Sequence, residues 1–333
     1  MGASSSDQSI RKIDGILIKY LIPEENRLQI FGNKFVENNK ENCQISVNGE
    51  IRELSTYLEN LENIQITEDN KIEIILKYKN NVTNYANMFD NCSNLDSIYE
   101  GSTWIFKEVT DISNLFNECV NLKKLPNFLS KWNTSKVTNM RGVFMDCTLL
   151  TEIPDISNWD TSNVTDFTSF FSGLEIITRL PDISKWNTSK CKNLSYFFEL
   201  CTKLEFVPDL SNWDTSNVEN MSFMFSKSQT LDVLPNISKW NTSKVLTMKG
   251  MFQNCLALKS IPNISKWNVS SVEDISFLFS GCGNLLAVPN LYKWDYKRIR
   301  HRHNIFTGCK SLKLVPAIEA ISYEDVNLFF VRF

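Results

Sequence analysis

The chain has 333 residues, 42% of them apolar, so it can bury a long core, and its formal net charge of −3 argues against a protein that gathers nucleic acid by electrostatics. No run of 18 or more apolar residues occurs, which leaves no candidate for a membrane-spanning helix. Nine cysteines include no Cys-x-x-Cys pair and only His301 and His303 could join them, a poor basis for a zinc site.

Residues 1–10 read as a disordered, Ser-rich tail without the apolar core of a secretory signal. Met1-Gly2-Ala3-Ser4-Ser5-Ser6 fits the N-myristoylation pattern at Gly2. One acyl chain with only Arg11 and Lys12 beside it implies weak, reversible membrane contact. Residues 11–81 carry strand patterns at Ile16–Ile18, Leu28–Phe31 and Ile72–Leu76. A hairpin is expected at Asn48-Gly49, between 44–47 and 50–54, and a short helix from Ser55 to Leu61. The segment reads as a β-rich N-terminal cap over an open repeat edge, or else as a small separate binding domain.

From residue 82 to residue 316 the chain repeats itself. Tryptophans at 104, 132, 159, 186, 213, 240, 267 and 294 are every Trp in the protein, and prolines from Pro126 to Pro316 keep the same step of about 27. Phenylalanine gives nine copies, from Phe89 to Phe306. In one copy Met140, Val143, Phe144 and Cys147 follow i, i+3, i+4, i+7, which predicts a short amphipathic helix behind the capping pair Thr138-Asn139. The Leu-Pro-x-Ile-Ser stretch cannot continue a helix and reads as extended. Trp-[Asn/Asp]-Thr-Ser reads as a turn in which the Asx side chain bonds the backbone two residues on. The expected fold is thus an α/β repeat: a solenoid of nine ~27-residue coils, each a short strand, a turn and a short helix, stacked to share one core.

The run Val-Thr-Asn-Met-x-x-Val-Phe-x-x-Cys-x-x-Leu, followed by Leu-Pro-Asp-Ile-Ser-x-Trp-[Asn/Asp]-Thr-Ser, resembles the BspA-like leucine-rich repeat. More narrowly it resembles the subtype of mycoplasma and Listeria surface lipoproteins that is expanded in protists. The resemblance covers about Val82 to Pro316. It implies a right-handed leucine-rich-repeat solenoid used for binding or adhesion, without catalytic chemistry. Abundant Asn, Lys and Ile fit the AT-rich genome of a protist.

Within the copies, Trp132, Trp159, Trp186, Trp213, Trp240, Trp267 and Trp294 read as core corner residues, with a stacking platform as the sharper alternative. Phe144, Phe171, Phe198, Phe225, Phe252 and Phe279 read as core. Seven cysteines share one column, with Leu174 and Ser228 in its two gaps, which suits a buried, reduced thiol ladder. The positions before Trp, namely Lys131, Asn158, Lys185, Asn212, Lys239, Lys266 and Lys293, form a candidate polar binding stripe. Lys185 is expected to face Asp160 and Asp214 diagonally. Lys297, Arg298, Arg300 and Arg302 form a candidate anionic contact, with Arg302 replacing an inward Met. Residues 317–333 read as an apolar C-terminal cap. No Gly-rich phosphate loop, nucleophile elbow or metal helix is present, so no catalytic residue, metal or cofactor is assigned. The expected function is a non-catalytic scaffold for a protein partner, cytoplasmic or peripherally membrane-bound. The alternatives are a cell-surface adhesin and, opposed by charge, a nucleic-acid-binding repeat.

Overall fold

The computed structural model describes residues 15–99, 106, 108–313, 315–316 and 330–331. Gly2, the 1–10 tail, Trp104 and most of 317–333 lie outside the described residues.

At the N-terminal end, alternating burial builds a sheet. Strands β1 (Ile16–Leu21), β3 (Cys43–Val47), β4 (Glu50–Glu53), β6 (Lys71–Tyr78) and β7 (Leu95–Tyr99) pair in the order β4-β3-β6-β1-β7. All four pairings are antiparallel. Ile16, Ile18 and Tyr20 of β1 and Ile72, Ile74 and Leu76 of β6 point to one buried face. Asn48 (φ 53°) and Gly49 (φ 83°) close the β3–β4 hairpin, as an Asn-Gly pair with positive φ at both central residues should. The helix expected at Ser55–Leu61 does not form. Tyr57–Glu59 is instead strand β5, antiparallel to β2 (Arg27–Gln29), and only Leu61–Asn63 makes a 3-10 turn. The helix that does form, α1 (Asn33–Asn39), has no matching expectation in the sequence reading.

The expectation of an α/β solenoid of nine helix-bearing coils is overturned. Among the described residues α1 is the sole α-helix, it lies outside the copies, and the multi-residue strands pair antiparallel. The physical reason is backbone handedness. Every copy carries two residues with positive φ, four positions apart, such as Gly142 (60°) and Asp146 (55°), or Gly250 (55°) and Asn254 (57°). A left-handed residue ends a right-handed helix, so each predicted helical stretch breaks into two tandem turns. In the second copy, Leu115 N bonds Ile112 O and Cys119 N bonds Phe116 O, with Asn114 and Glu118 at the third, left-handed position of each turn. Two four-residue turns in series still put i and i+4 on one side, which is why the spacing imitates a helix.

The backbone groups that a helix would satisfy internally go to the next copy instead. The N–H groups of Met140, Gly142, Phe144 and Asp146 reach the carbonyls of Asp166, Thr168, Phe170 and Ser172 at 2.8–3.1 Å. Single parallel bridges run Asn84–Asp111–Asn139–Asp166–Asn193–Asn220–Thr247–Asp274–His301. The Asx turns form as well: Asp160 Oδ1 accepts Ser162 N–H at 3.0 Å, and Asn187 Oδ1 accepts Ser189 N–H at 3.0 Å. Buried threonine hydroxyls tie these turns together, Thr161 Oγ1 donating to Asn187 O and Thr188 Oγ1 to Asp214 O, each at 3.0 Å.

Candidate interaction face

The Trp column lies inside the stack. The seven tryptophans from Trp132 to Trp294 are buried, and from Trp159 onward each indole N–H donates to a carbonyl thirty residues earlier, as Trp213 does to Ile183 O at 3.1 Å. With their faces against neighbouring rings and side chains, these indoles offer no platform to an outside ligand. Phe144, Phe171, Phe198, Phe225, Phe252 and Phe279 are fully buried and stack ring on ring at 5.4–6.0 Å. From Cys119 onward the column thiols donate to the Phe carbonyl of the preceding copy, as Cys255 Sγ does to Phe225 O at 3.0 Å. Ser228 makes the same bond to Phe198 O at 2.8 Å. All nine cysteines are free thiols.

Lys131, Asn158, Lys185, Asn212, Lys239, Lys266 and Lys293 are all exposed, one per copy. The diagonal pairing does not occur: among the described residues no ion pair joins Lys185 to Asp160 or Asp214. Those two aspartates are instead held below the usual carboxylate range by the hydroxyl and N–H of Ser162 and Ser216. Lys185 acts electrostatically on Asp155 and Asp182. In the basic run Lys297, Arg298 and Arg300 are exposed, Ile299 between them is buried, and half-buried Arg302 sits near the Tyr296 phenol.

The sequence reading missed the outward face of the tandem turns. Most copies place Gly, Asn, Asp or Ser at the left-handed positions, but three put an aromatic side chain there: Tyr196 (φ 60°), Phe223 (φ 58°) and Phe277 (φ 61°). All three are half-buried. Tyr196 stacks on Phe223 with ring centroids 5.1 Å apart, and Phe277 meets His303 edge to face at 5.0 Å. Between them Gly250 leaves room for Phe223, because a Cβ there would collide with its ring.

Polar groups flank this column. Lys227 Nζ stands 3.4 Å from Glu199 Oε1, and burial raises the Glu199 carboxyl pKa against the pull of that lysine. Burial likewise raises the Tyr196 phenol, with Glu199 adding to the shift. One copy further on from Glu199, the fully buried Ser226 hydroxyl has no partner among the described residues. Magnitudes decide what the arrangement is for. A left-handed non-glycine residue costs about 1–2 kcal/mol, so Tyr196 and Phe223 together cost about 2–4. One stacked pair returns about 0.5–1.5 kcal/mol. Ring stacking alone therefore does not offset the strain of the aromatic column. What could have revealed it in the sequence is a bulky residue in a column otherwise kept for Gly, Asn and Ser.

Four overlapping segments, residues 71–128, 83–205, 123–229 and 202–317, match the family model described as "Mycoplasma protein of unknown function, DUF285". No curated protein matches the chain. Among solved structures it is similar to a leucine-rich-repeat protein of T. pallidum, with 18% identity and a TM-score of 0.31, over 62% of this chain and 72% of that one. The family matches together run from residue 71 to residue 317, well over half of the 333 residues. The chain, with its bonded ladder of tandem turns, belongs to the DUF285 family.

Proposed function

We propose that this chain is a non-catalytic repeat scaffold that binds a protein partner along the tandem-turn face, centred on Tyr196, Phe223 and Phe277. We also read its copies as BspA-like leucine-rich repeats, on the Val-Thr-Asn-Met and Trp-[Asn/Asp]-Thr-Ser runs. The observation that carries the function is the strain: three aromatic residues hold left-handed backbone that Gly or Asn would adopt more cheaply. A rigid row of half-exposed rings beside Glu199 and Lys227 has the composition of a protein-binding centre, apolar anchors with charges at the rim.

The test separates binding from folding. Phe223→Asn is expected to leave the melting temperature unchanged or slightly raised, because relief of strain offsets the lost ring contact. The same variant is expected to lose partners that the wild-type chain captures from its own cells. A melting temperature several degrees lower with capture intact would make the ring a structural element and sink the proposal.

A further inference from the structure

A second surface lies on another side of the copies. Arg179, Phe206 and Val233 follow one another at intervals of 27, and Arg179 and Phe206 are joined by a parallel bridge. Phe206 is 60% exposed and Val233 63% exposed, the highest values among the exposed large apolar residues. The Arg179 guanidinium lies 5.4 Å from the Phe206 ring centroid. Beside them a depression of about 420 Å³ is lined by Arg179, Leu180, Asp182, Phe206, Val207, Pro208 and Asp209.

A column of acids lies beside this apolar step, with Arg179 and Lys185 as the nearby cations. Asp155, Asp182 and Asp209 occupy one column in three successive copies, about 5 Å apart by the spacing of paired strands. The next three copies have Asn236, Asn263 and Asn290 there, so the run of acids ends at the copy of Phe206, beside the apolar step. Ser157 and Ser184 hold Asp155 and Asp182 ionised by donating to them. Neither Asp182 nor Asp209 has an ion pair among the described residues, whereas nearby Asp232 is taken by Lys259 at 3.0 Å. An exposed phenyl ring that already accepts one guanidinium, next to two unpaired carboxylates, is complementary to a cationic and apolar chain.

We propose that this edge docks an extended segment of a partner protein in which basic and apolar residues alternate. The apolar side chains rest on Phe206 and Val233, and the cations lie between Asp182 and Asp209. The site is separate from the tandem-turn face and stands or falls without it.

The probe is a fluorescein-labelled octapeptide of alternating Arg and Leu, read by anisotropy against the full chain. Arg–Ser and Glu–Leu octapeptides serve as comparisons. The Arg–Leu peptide is expected to bind, more weakly as salt rises. Phe206→Ser with Val233→Ser is expected to weaken it at least tenfold. Asp182→Asn with Asp209→Asn is expected to do the same and to flatten the salt dependence. These amides keep the local turn, since Asn236 Oδ1 accepts Ser238 N–H at 3.2 Å in the equivalent position. Phe223→Asn is expected to change nothing. Three outcomes would overturn the proposal: equal binding by both double variants, Arg–Ser bound as tightly as Arg–Leu, or sedimentation showing that the wild-type chain self-associates and Phe206→Ser abolishes it, which would make a second copy the occupant.

Discussion

Single residues in this chain are chosen for what they donate to the neighbouring copy. The thiol column shows it best: the Phe198 carbonyl is served by the Ser228 hydroxyl, the Phe171 carbonyl by the Cys201 thiol at 3.1 Å. Either buried donor serves the carbonyl there, while Leu174 fills the same column without one. The sequence reading took this column, with Leu174 and Ser228 in its gaps, as a buried thiol ladder, and the donor role was not legible because it depends on a carbonyl thirty residues away. Burial has a further consequence. It pushes the thiols of Cys43, Cys191 and Cys201 up to about 12 from an ordinary 9.0. The folded state therefore holds protons that the unfolded chain releases from about pH 9 upward. Stability contributed by these thiols is complete below about pH 9 and is lost as pH rises toward 12. Each fully effective thiol adds a slope of about 1.4 kcal/mol per pH unit. Urea midpoints are expected to fall steeply between pH 9 and pH 10.5, and less steeply in Cys201→Ser. A wild-type midpoint that stays level across that range would show that the thiols ionise in place.

The repeating element is the pair of tandem turns, and here the sequence both informed and misled. Inward positions were legible: Met140, Val143, Phe144 and Cys147 are all fully buried. Their spacing pointed to a helix, since 3.6-residue periodicity and two four-residue turns bury nearly the same positions. The distinguishing signal was the run of Gly, Asn and Asp at Asn114, Gly142, Asp146, Gly173, Asn254 and Gly281, residues that tolerate left-handed backbone. Read for handedness instead of hydropathy, those columns exclude the helix. They also expose Tyr196, Phe223 and Phe277 as exceptions. Gly173 offers a direct test of the element. Its φ is 73°, and a Cβ there would collide with the Asp146 side chain and crowd the Asp146 backbone. Gly173→Ala is expected to cost at least about 1–2 kcal/mol in denaturant unfolding, although alanine is the better helix former. A gain in stability would mean that the helix suggested by the spacing is accessible after all.

At the scale of the whole molecule the copies cohere through bonds that each cross one step of about 27 residues. Phe171 N reaches Phe197 O, Phe198 N reaches Met224 O and Phe225 N reaches Met251 O, at 2.8–3.0 Å. Side chains keep the same step in the Phe stack and in the threonine and thiol columns. Energy in such an array is close to a sum of similar interfaces between neighbours, so the length of a deletion matters more than its position. Removal of residues 187–213 joins Trp186 to Asp214 and restores the Trp-Asp-Thr-Ser turn. Phe171 would then stack on Phe225, and the Phe171 carbonyl would receive Ser228 in place of Cys201. The shortened chain is expected to melt cooperatively, a few degrees below the full chain, by circular dichroism. Removal of residues 187–200, about half a step, brings core columns opposite surface columns. It also takes Trp213 and Cys201, the donors to the Ile183 and Phe171 carbonyls, out of register, and no cooperative transition is expected. If the half-step deletion melted as well as the full-step one, the copies would be held together by general apolar contact and not by the register of their donors.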